Sequence, residues 1–347
     1  MPIAFKRTKD CMRLKNPFKG FSMDEIPFEI RWDPLTGHST RIFDLPYRPI
    51  QRPDFDELVR RSLEVPCPFC PESVAASTPL YPDELLPGGR IREGDAWLFP
   101  NLLPLDRYAA VCVMGREHYI GPGGFTPAII RDGFTAARSF VRSVARHDRD
   151  VRFFSINWNY MPPSGSSIVH PHLQVNCGQI PTAQVGAQTA ASLAYLQEHG
   201  RLFWDDFMEA ERASCERFVM EIGPTFWTLN FAPQGALPDL WCISKECRTL
   251  LEWKDDERDA FLEGLVAALR YFDHEGLYSF NVSVFSGREN EHFRVNARVT
   301  PRLLLREIGN SDQTYTQVLH REPCSLRPPE SVRDTVSRVF EEALSGL

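Results

Sequence analysis

The order of secondary-structure elements repeats along this chain, and that repeat limits the fold more than any single motif. In the first half, two strand-like runs, DAWLFPNLLPL and YAAVCVMG, lead into an amphipathic helical segment from about Pro127 to His147. Ile129, Ile130, Phe134, Ala137, Phe140, Val141 and Val144 fall on one face of it, and the strands VRFFSINWN and SIVHPHLQVN follow. The second half runs in the same order. TFWTLNFA and LWCISKEC precede the helical DDERDAFLEGLVAALRYFDHEG, which is acidic in its first turn, and YSFNVSVFSG and HFRVNARVTPRLL come after it. Side by side, VMGREHYI falls opposite CISKECRT and IVHPHLQV opposite RVNARVTP. His118 then faces Cys247, His170 faces Asn296, His172 faces Arg298 and Gln174 faces Thr300.

Such an order predicts an α+β protein with a duplicated domain, antiparallel sheets flanked by helices, and halves at 1–195 and 196–347. Two unrelated α+β halves are the alternative. The first 60 residues read as irregular, with short strands around the turn DPLTGHST, and one long helical segment is expected from about Thr182 to Phe218.

The charge balance narrows the function. A net charge of -7, with a pI near 5.8 and no basic block in the sequence, argues against nucleic-acid and membrane-surface partners. No apolar run approaches the ~18 residues of a membrane span. The basic N-terminus lacks the apolar stretch of a secretory signal. Nine cysteines, an odd number, then point to a reducing compartment with thiols or metal ligands, and a cytoplasmic location is expected.

The chemistry concentrates in SSIVHPHLQV. Read as a strand, it points Val169, Pro171, Leu173 and Val175 one way and His170, His172, Gln174 and Asn176 the other. Proline inside the run argues for an edge or an interrupted ladder. Upstream, PCPFCP sets Cys67 and Cys70 at the spacing of two thiolates sharing a tetrahedral Zn²⁺. No second such pair exists, so the remaining ligands should be histidines, with His118 and His170 the candidates. A redox pair is the rival reading, although no thioredoxin-like pattern surrounds it. The loop NYMPPSGSS offers backbone N–H groups and hydroxyls to phosphate oxygens.

Taken in order, RWDPLTG (Arg31 to Gly37), YRPIQRP, CPFC, FPNLLPL, REH and NYMPPSGSSIVHPHLQ resemble the galactose-1-phosphate uridylyltransferases, the transferase branch of the histidine-triad superfamily. The likeness covers roughly residues 30 to 176, and the weak repeat extends it to about 305. It implies that His172 is a nucleophile forming a covalent nucleotidyl-histidine and that Gln174 hydrogen-bonds the phosphoryl oxygen. It implies that Cys67, Cys70, His118 and His170 hold a structural zinc ion. Arg48, Arg52, Asn101, Asn159, Gly165, Ser166 and Ser167 fall where the family binds nucleotide and phosphates, the two arginines slightly further from the PLTG turn than usual. The implied activity is ping-pong nucleotidyl transfer from a nucleotide sugar of the UDP-glucose type to a hexose 1-phosphate, in a homodimer.

A nucleoside-diphosphate-sugar phosphorylase (on ADP-glucose, for example) or dinucleotide phosphorylase, using inorganic phosphate as acceptor, is the alternative. A catalytically silent nucleotide-binding protein is a second. Three departures from the family pattern stand out. Leu173 replaces a usual glycine beside the phosphates. Asn296 and Arg298 stand where some members carry a second metal on a His-x-His pair, so that site is expected to be absent. The C-terminal hexose-binding segment is not recognisable, NSDQTYTQVL keeping at most Tyr315.

Overall fold

The computed structural model describes residues 3–45, 55–288, 291–304 and 311–346. It opens with β1 (Arg7–Asn16), β2 (Ser22–Trp32) and β3 (Ser39–Ile42), then α1 (Phe55–Ser62) and the short α2 (Val74–Ser77). The strands β4 (Ile91–Glu93), β5 (Ala96–Pro100) and β6 (Tyr108–Val113) lead to α3 (Pro127–His147), β7 (Phe153–Tyr160) and β8 (His172–Gly178). Next come α4 (Ala183–His199), α5 (Phe203–Ser214), β9 (Phe218–Ile222), β10 (Thr225–Leu229) and β11 (Leu240–Ser244). The chain ends with α6 (Asp255–His274), β12 (Ser279–Gly287), β13 (Asn296–Arg302), α7 (Tyr315–His320), β14 (Cys324–Ser325) and α8 (Arg333–Ser345).

Ten strands form one antiparallel sheet in the order β4-β5-β6-β8-β7-β12-β13-β11-β10-β9. This order is a palindrome about the β7/β12 pair, each half of the chain supplying five strands. At the centre Trp158 lies opposite Val282 and Asn159 opposite Asn281. The fold is therefore α+β, duplicated in strand order. Residue 195, the expected boundary, lies inside α4.

Strand alternation divides the sheet into two unlike faces. Phe154, Ile156, Trp158, Leu173, Val175, Phe280, Val282, Val284, Ala297 and Val299 point into one continuous core under α3, α6 and α8. Ser155, Asn157, Asn159, Gln174, Asn176 and Ser283 take the opposite face. The β7 sequence FFSINWNY produces this by itself, buried and half-buried residues alternating along it. Helix α3 follows its periodicity and begins with Pro127 in the first turn, where the missing N–H costs nothing, while Thr126 caps it by accepting from the Ile129 N–H.

Two expectations need correction. The single helix over 182–218 is two, because Gly200 takes the left-handed conformation (φ 66°) that ends α4. The N-terminal region is not short and irregular: β1 and β2 form a long antiparallel hairpin, in register from Arg7 opposite Arg31 to Asn16 opposite Ser22. The strand RTKDCMRLKN is almost wholly exposed, so it never needed the apolar alternation that reveals a strand.

Arg31, the first residue of RWDPLTG, anchors this hairpin. It is 1% exposed, donates two hydrogen bonds to the Glu330 carboxylate at 2.8 and 3.0 Å, and donates from Nε to Glu29 at 2.9 Å. Deleting it removes both of its bonds to Glu330 and its bond to Glu29 from a buried ion-pair network, in which Arg217 still reaches Glu330 at 2.8 Å. Arg31→Ala is expected to lower stability by about 3 kcal/mol, measured by chemical denaturation; an unchanged midpoint would refute this role.

Candidate active site

The polar stretch of the sequence lies inside the first half-sheet, β8 pairing with β6 on one side and β7 on the other. Regular pairing of β8 begins only at His172, which lies opposite Val113 of β6. Pro171 explains the late start: with no N–H it cannot donate to a ladder, although its carbonyl accepts from the Met114 N–H at 3.2 Å. The expected strand is therefore interrupted, and His170 lies before it, fully buried.

Cys67, Cys70, His118 and His170 converge, with one ligand atom from each and all four within 4.8 Å of one another. His118 Nδ1 lies 3.4 Å and His170 Nδ1 3.6 Å from Cys70 Sγ. A four-coordinate ion with zinc-like bonds, ~2.3 Å to sulfur and ~2.0–2.1 Å to nitrogen, would hold such atoms roughly 3.6 Å apart. The far nitrogens set the tautomers. His170 Nε2–H donates to the Gly115 carbonyl at 2.9 Å. Ser62 at the end of α1 spends its own proton on the Val59 carbonyl (2.7 Å), so its oxygen accepts from His118 Nε2–H at 2.8 Å. Both Nδ1 atoms are left with a free lone pair directed at the thiols.

Burial then prepares these groups as neutral ligands. It pushes the His170 pKa down to about 4 and the His118 pKa below its usual value. Burial, reinforced by neighbouring Cys67, pushes the Cys70 thiol up to about 12. Two thiolates side by side in a buried pocket need a cation, and a divalent ion reverses that penalty. The donor set thus fits a metal ion.

His172 is 6% exposed and directs its ring to the other purpose. Its Nδ1–H donates to the His170 carbonyl at 2.8 Å, which leaves Nε2 unprotonated, and burial lowers its pKa so that it stays neutral. Phe69, between the two cysteines, packs its ring edgewise on His172 (centroids 5.2 Å apart) and on His170 (6.5 Å). Phe69 was not singled out from sequence, where it reads as an ordinary apolar spacer.

Gln174 opens onto a cleft of about 340 Å³ bordered by Ser155, Asn157, Asn159, Asn176 and Phe285. That volume lies in the range of small-molecule sites. Asn157 donates to Ser155 Oγ (2.9 Å) and to the Gln174 carbonyl (3.2 Å); Asn159 Oδ1 accepts from Asn281 across the palindrome. Ser155, Asn157 and Asn159 alternate in the sequence just as His172, Gln174 and Asn176 do, and that alternation was the available signal for them.

The remaining expected residues are more scattered. Asn101, Gly165, Ser166 and Ser167 do not border this cleft. Asn101 Oδ1 accepts from the Leu103 N–H (3.0 Å), a turn role. Gly165 adopts φ 91°, ending the turn Pro162–Ser164, and Ser166 Oγ donates to the Ile168 carbonyl at 2.7 Å. Arg48 and Arg52 lie outside the described residues. Leu173, expected beside the phosphates, points into the core between Cys112 and Trp158, so the departure from glycine falls on the wrong face to alter the cleft.

In the second half Arg298 projects from the cleft side of β13. It is paired with Asp33 (3.3 Å) and Asp239 (3.8 Å) and stacked on Trp241. Asn296 Oδ1 accepts from Trp241 Nε1 at 3.0 Å and from Gln188 at 3.4 Å. Gln313 and Gln317 border a second, smaller cleft beside Arg298, whereas Tyr315 is exposed.

No family model matches the sequence. An uncharacterized protein of Archaeoglobus fulgidus is 30% identical over 324 residues, covering 93% of this chain and 96% of that protein. Among solved structures, an ADP-glucose phosphorylase from Arabidopsis thaliana with bound ADP-glucose superposes with a TM-score of 0.69 at 16% identity, over 89% of this chain and 98% of its own. A GalT-like protein from Arabidopsis thaliana gives 0.68 at 16% over the same shares, and a uridylyltransferase gives 0.65 at 17% over 91% and 99%. The chain belongs to one family with the Archaeoglobus fulgidus protein, and it is built on the uridylyltransferase-like fold that its motifs implied.

Proposed function

We propose that the protein is a nucleotidyltransferase working by ping-pong through a nucleotidyl-His172 intermediate, with a nucleoside-diphosphate sugar as nucleotide donor. The bond from His172 Nδ1–H to the His170 carbonyl is the observation that supports this most, because it fixes the neutral tautomer with Nε2 as nucleophile. Nε2 attacks the α-phosphorus; an N–P bond forms, the P–O bond to the β-phosphate breaks, and a hexose 1-phosphate leaves with the electron pair. An acceptor oxygen then attacks the same phosphorus from a second substrate, and the N–P bond returns its electrons to His172. The attacking nitrogen carries no proton, so no separate base is needed. Gln174 donates to a phosphoryl oxygen. Its amide cannot serve as a proton-donating acid, which favours transfer over hydrolysis.

Cys67, Cys70, His118 and His170 would hold a structural Zn²⁺, which with four protein ligands supplies rigidity and has no open position for water. We also read the palindromic strand order as a duplication in which 1–195 kept the catalytic residues, while Arg298 in the second copy is spent on two carboxylates. A phosphorylase reading, with inorganic phosphate as acceptor, is supported by the resemblance of the fold to the ADP-glucose phosphorylase and by the unrecognisable hexose segment.

The test is incubation with UDP-glucose or ADP-glucose labelled in the α-phosphate, followed by a chase with phosphate or hexose 1-phosphates. An acid-labile label on the protein, released by one acceptor class, is the expected result. No label from any nucleotide sugar would overturn the proposal. Gln174→Ala is expected to slow single-turnover labelling by about 10²–10³-fold, the usual cost of one donor to a developing charge. An unchanged labelling rate would remove Gln174 from the chemistry.

A further inference from the structure

Away from the cleft, on the helix-covered side of the sheet, lies a cavity of about 560 Å³ that the chemistry above does not use. Arg142 and Arg146 near the end of α3, Arg149 just beyond it, Arg248 from the segment after β11, and Arg288 after β12 all border it, with Glu252 and Glu291. These arginines come from three separated stretches of a chain whose net charge is -7. Among the described residues none of the five makes an ion pair within 4.0 Å, whereas most other arginines in the structure do. The chain concentrates unneutralised positive charge in one concavity.

The floor of the cavity is fixed in place. Arg142 donates to the Leu251 carbonyl (3.1 Å) and the Trp253 carbonyl (2.9 Å), and Arg288 donates to the Arg149 and Ala145 carbonyls at 3.2 and 2.7 Å. Arg288 Nε is buried and has no hydrogen-bond partner. Arg146, Arg149 and Arg248 stand exposed around the rim. Helix-terminus compensation accounts for a basic residue or two in the last turn of α3, but not for Arg248 and Arg288 arriving from the other half of the chain. Planar guanidiniums converging from several directions are the donor set that phosphate oxygens match bidentately.

We propose that this cavity is a binding site for a small diphosphate-bearing metabolite, separate from the cleft at Gln174. Among the described residues, five guanidiniums and two carboxylates leave a surplus of three positive charges, against roughly three negative charges on a diphosphate at neutral pH. The cavity suits a discrete small molecule, since its volume is within the range for such ligands and its charge is confined to one concave spot.

The test is isothermal titration with inorganic pyrophosphate, using the full chain and the double variant Arg149→Gln/Arg248→Gln. Both substitutions are on exposed residues, and the variant's circular dichroism and His172 labelling rate are checked against the parent. The expected result is pyrophosphate binding weakened about 100-fold in the variant, tenfold per guanidinium removed, with labelling unchanged and sulfate at matched ionic strength failing to compete. Equal affinity in both proteins would place the pyrophosphate elsewhere and overturn the proposal, as would no binding to the parent at millimolar concentration. Because labelling is read separately, this outcome is distinguishable from a failure of the nucleotidyl-His172 mechanism.

Discussion

His172→Gly is expected to form no nucleotidyl adduct with any nucleotide sugar while keeping its full metal content. The imidazole is the only group in the proposed scheme that bonds to phosphorus, so its loss removes both half-reactions together. Where a covalent nucleophile is deleted, turnover falls by on the order of 10⁶. The substitution also removes the donor to the His170 carbonyl and empties a buried position, so some stability is lost as well. Metal analysis and circular dichroism on the same sample separate the two effects. A folded, metal-loaded variant that still turned over would exclude the covalent route.

Cys67→Ala tests the other half of the site and is expected to fail in the opposite order, losing metal and stability first. Structural zinc contributes about 10–16 kcal/mol in isolated fingers at neutral pH. In a protein with this large core the loss should be several kcal/mol, lowering Tm by on the order of 10 °C. Removing Cys67 leaves three donors and a pocket in which Phe69, Phe99, Val111 and Val113 pack around the vacated position. Elemental analysis should show about one zinc per parent chain and none in the variant. Retention of stoichiometric zinc with an unchanged Tm would show that these four residues are not a metal site.

Much of this was legible because it is local. Helix α3 carries its whole argument in its own periodicity, and its expected bounds, Pro127 to His147, are those observed. The polar and apolar faces of β7 and β8 follow from alternation alone. Cys67, Cys70, His118 and His170 were expected together because CxxC spacing demands partners and the family likeness supplied two histidines, and the structure brings the four within 4.8 Å of one another. What alternation could not supply was register across the chain. Asn159 meets Asn281, and Arg31 meets Glu330, only after the sheet and hairpin close. The arginine cavity is the extreme case: Arg142, Arg146 and Arg149 lie close together in sequence, but Arg248 and Arg288 join them only through the fold. Exposure defeats pattern reading as well, which is why the β1–β2 hairpin reads as short, irregular strands.

His170 serves two partners through different atoms, its ring for the metal group and its carbonyl for the His172 proton. Any residue there would keep the carbonyl, and a cysteine would keep a fourth ligand atom; on the proposed mechanism, a metal held by the ring would fix the backbone segment that orients the attacking lone pair. At the matching place in β13, Asn296 makes ordinary hydrogen bonds to Trp241 and Gln188.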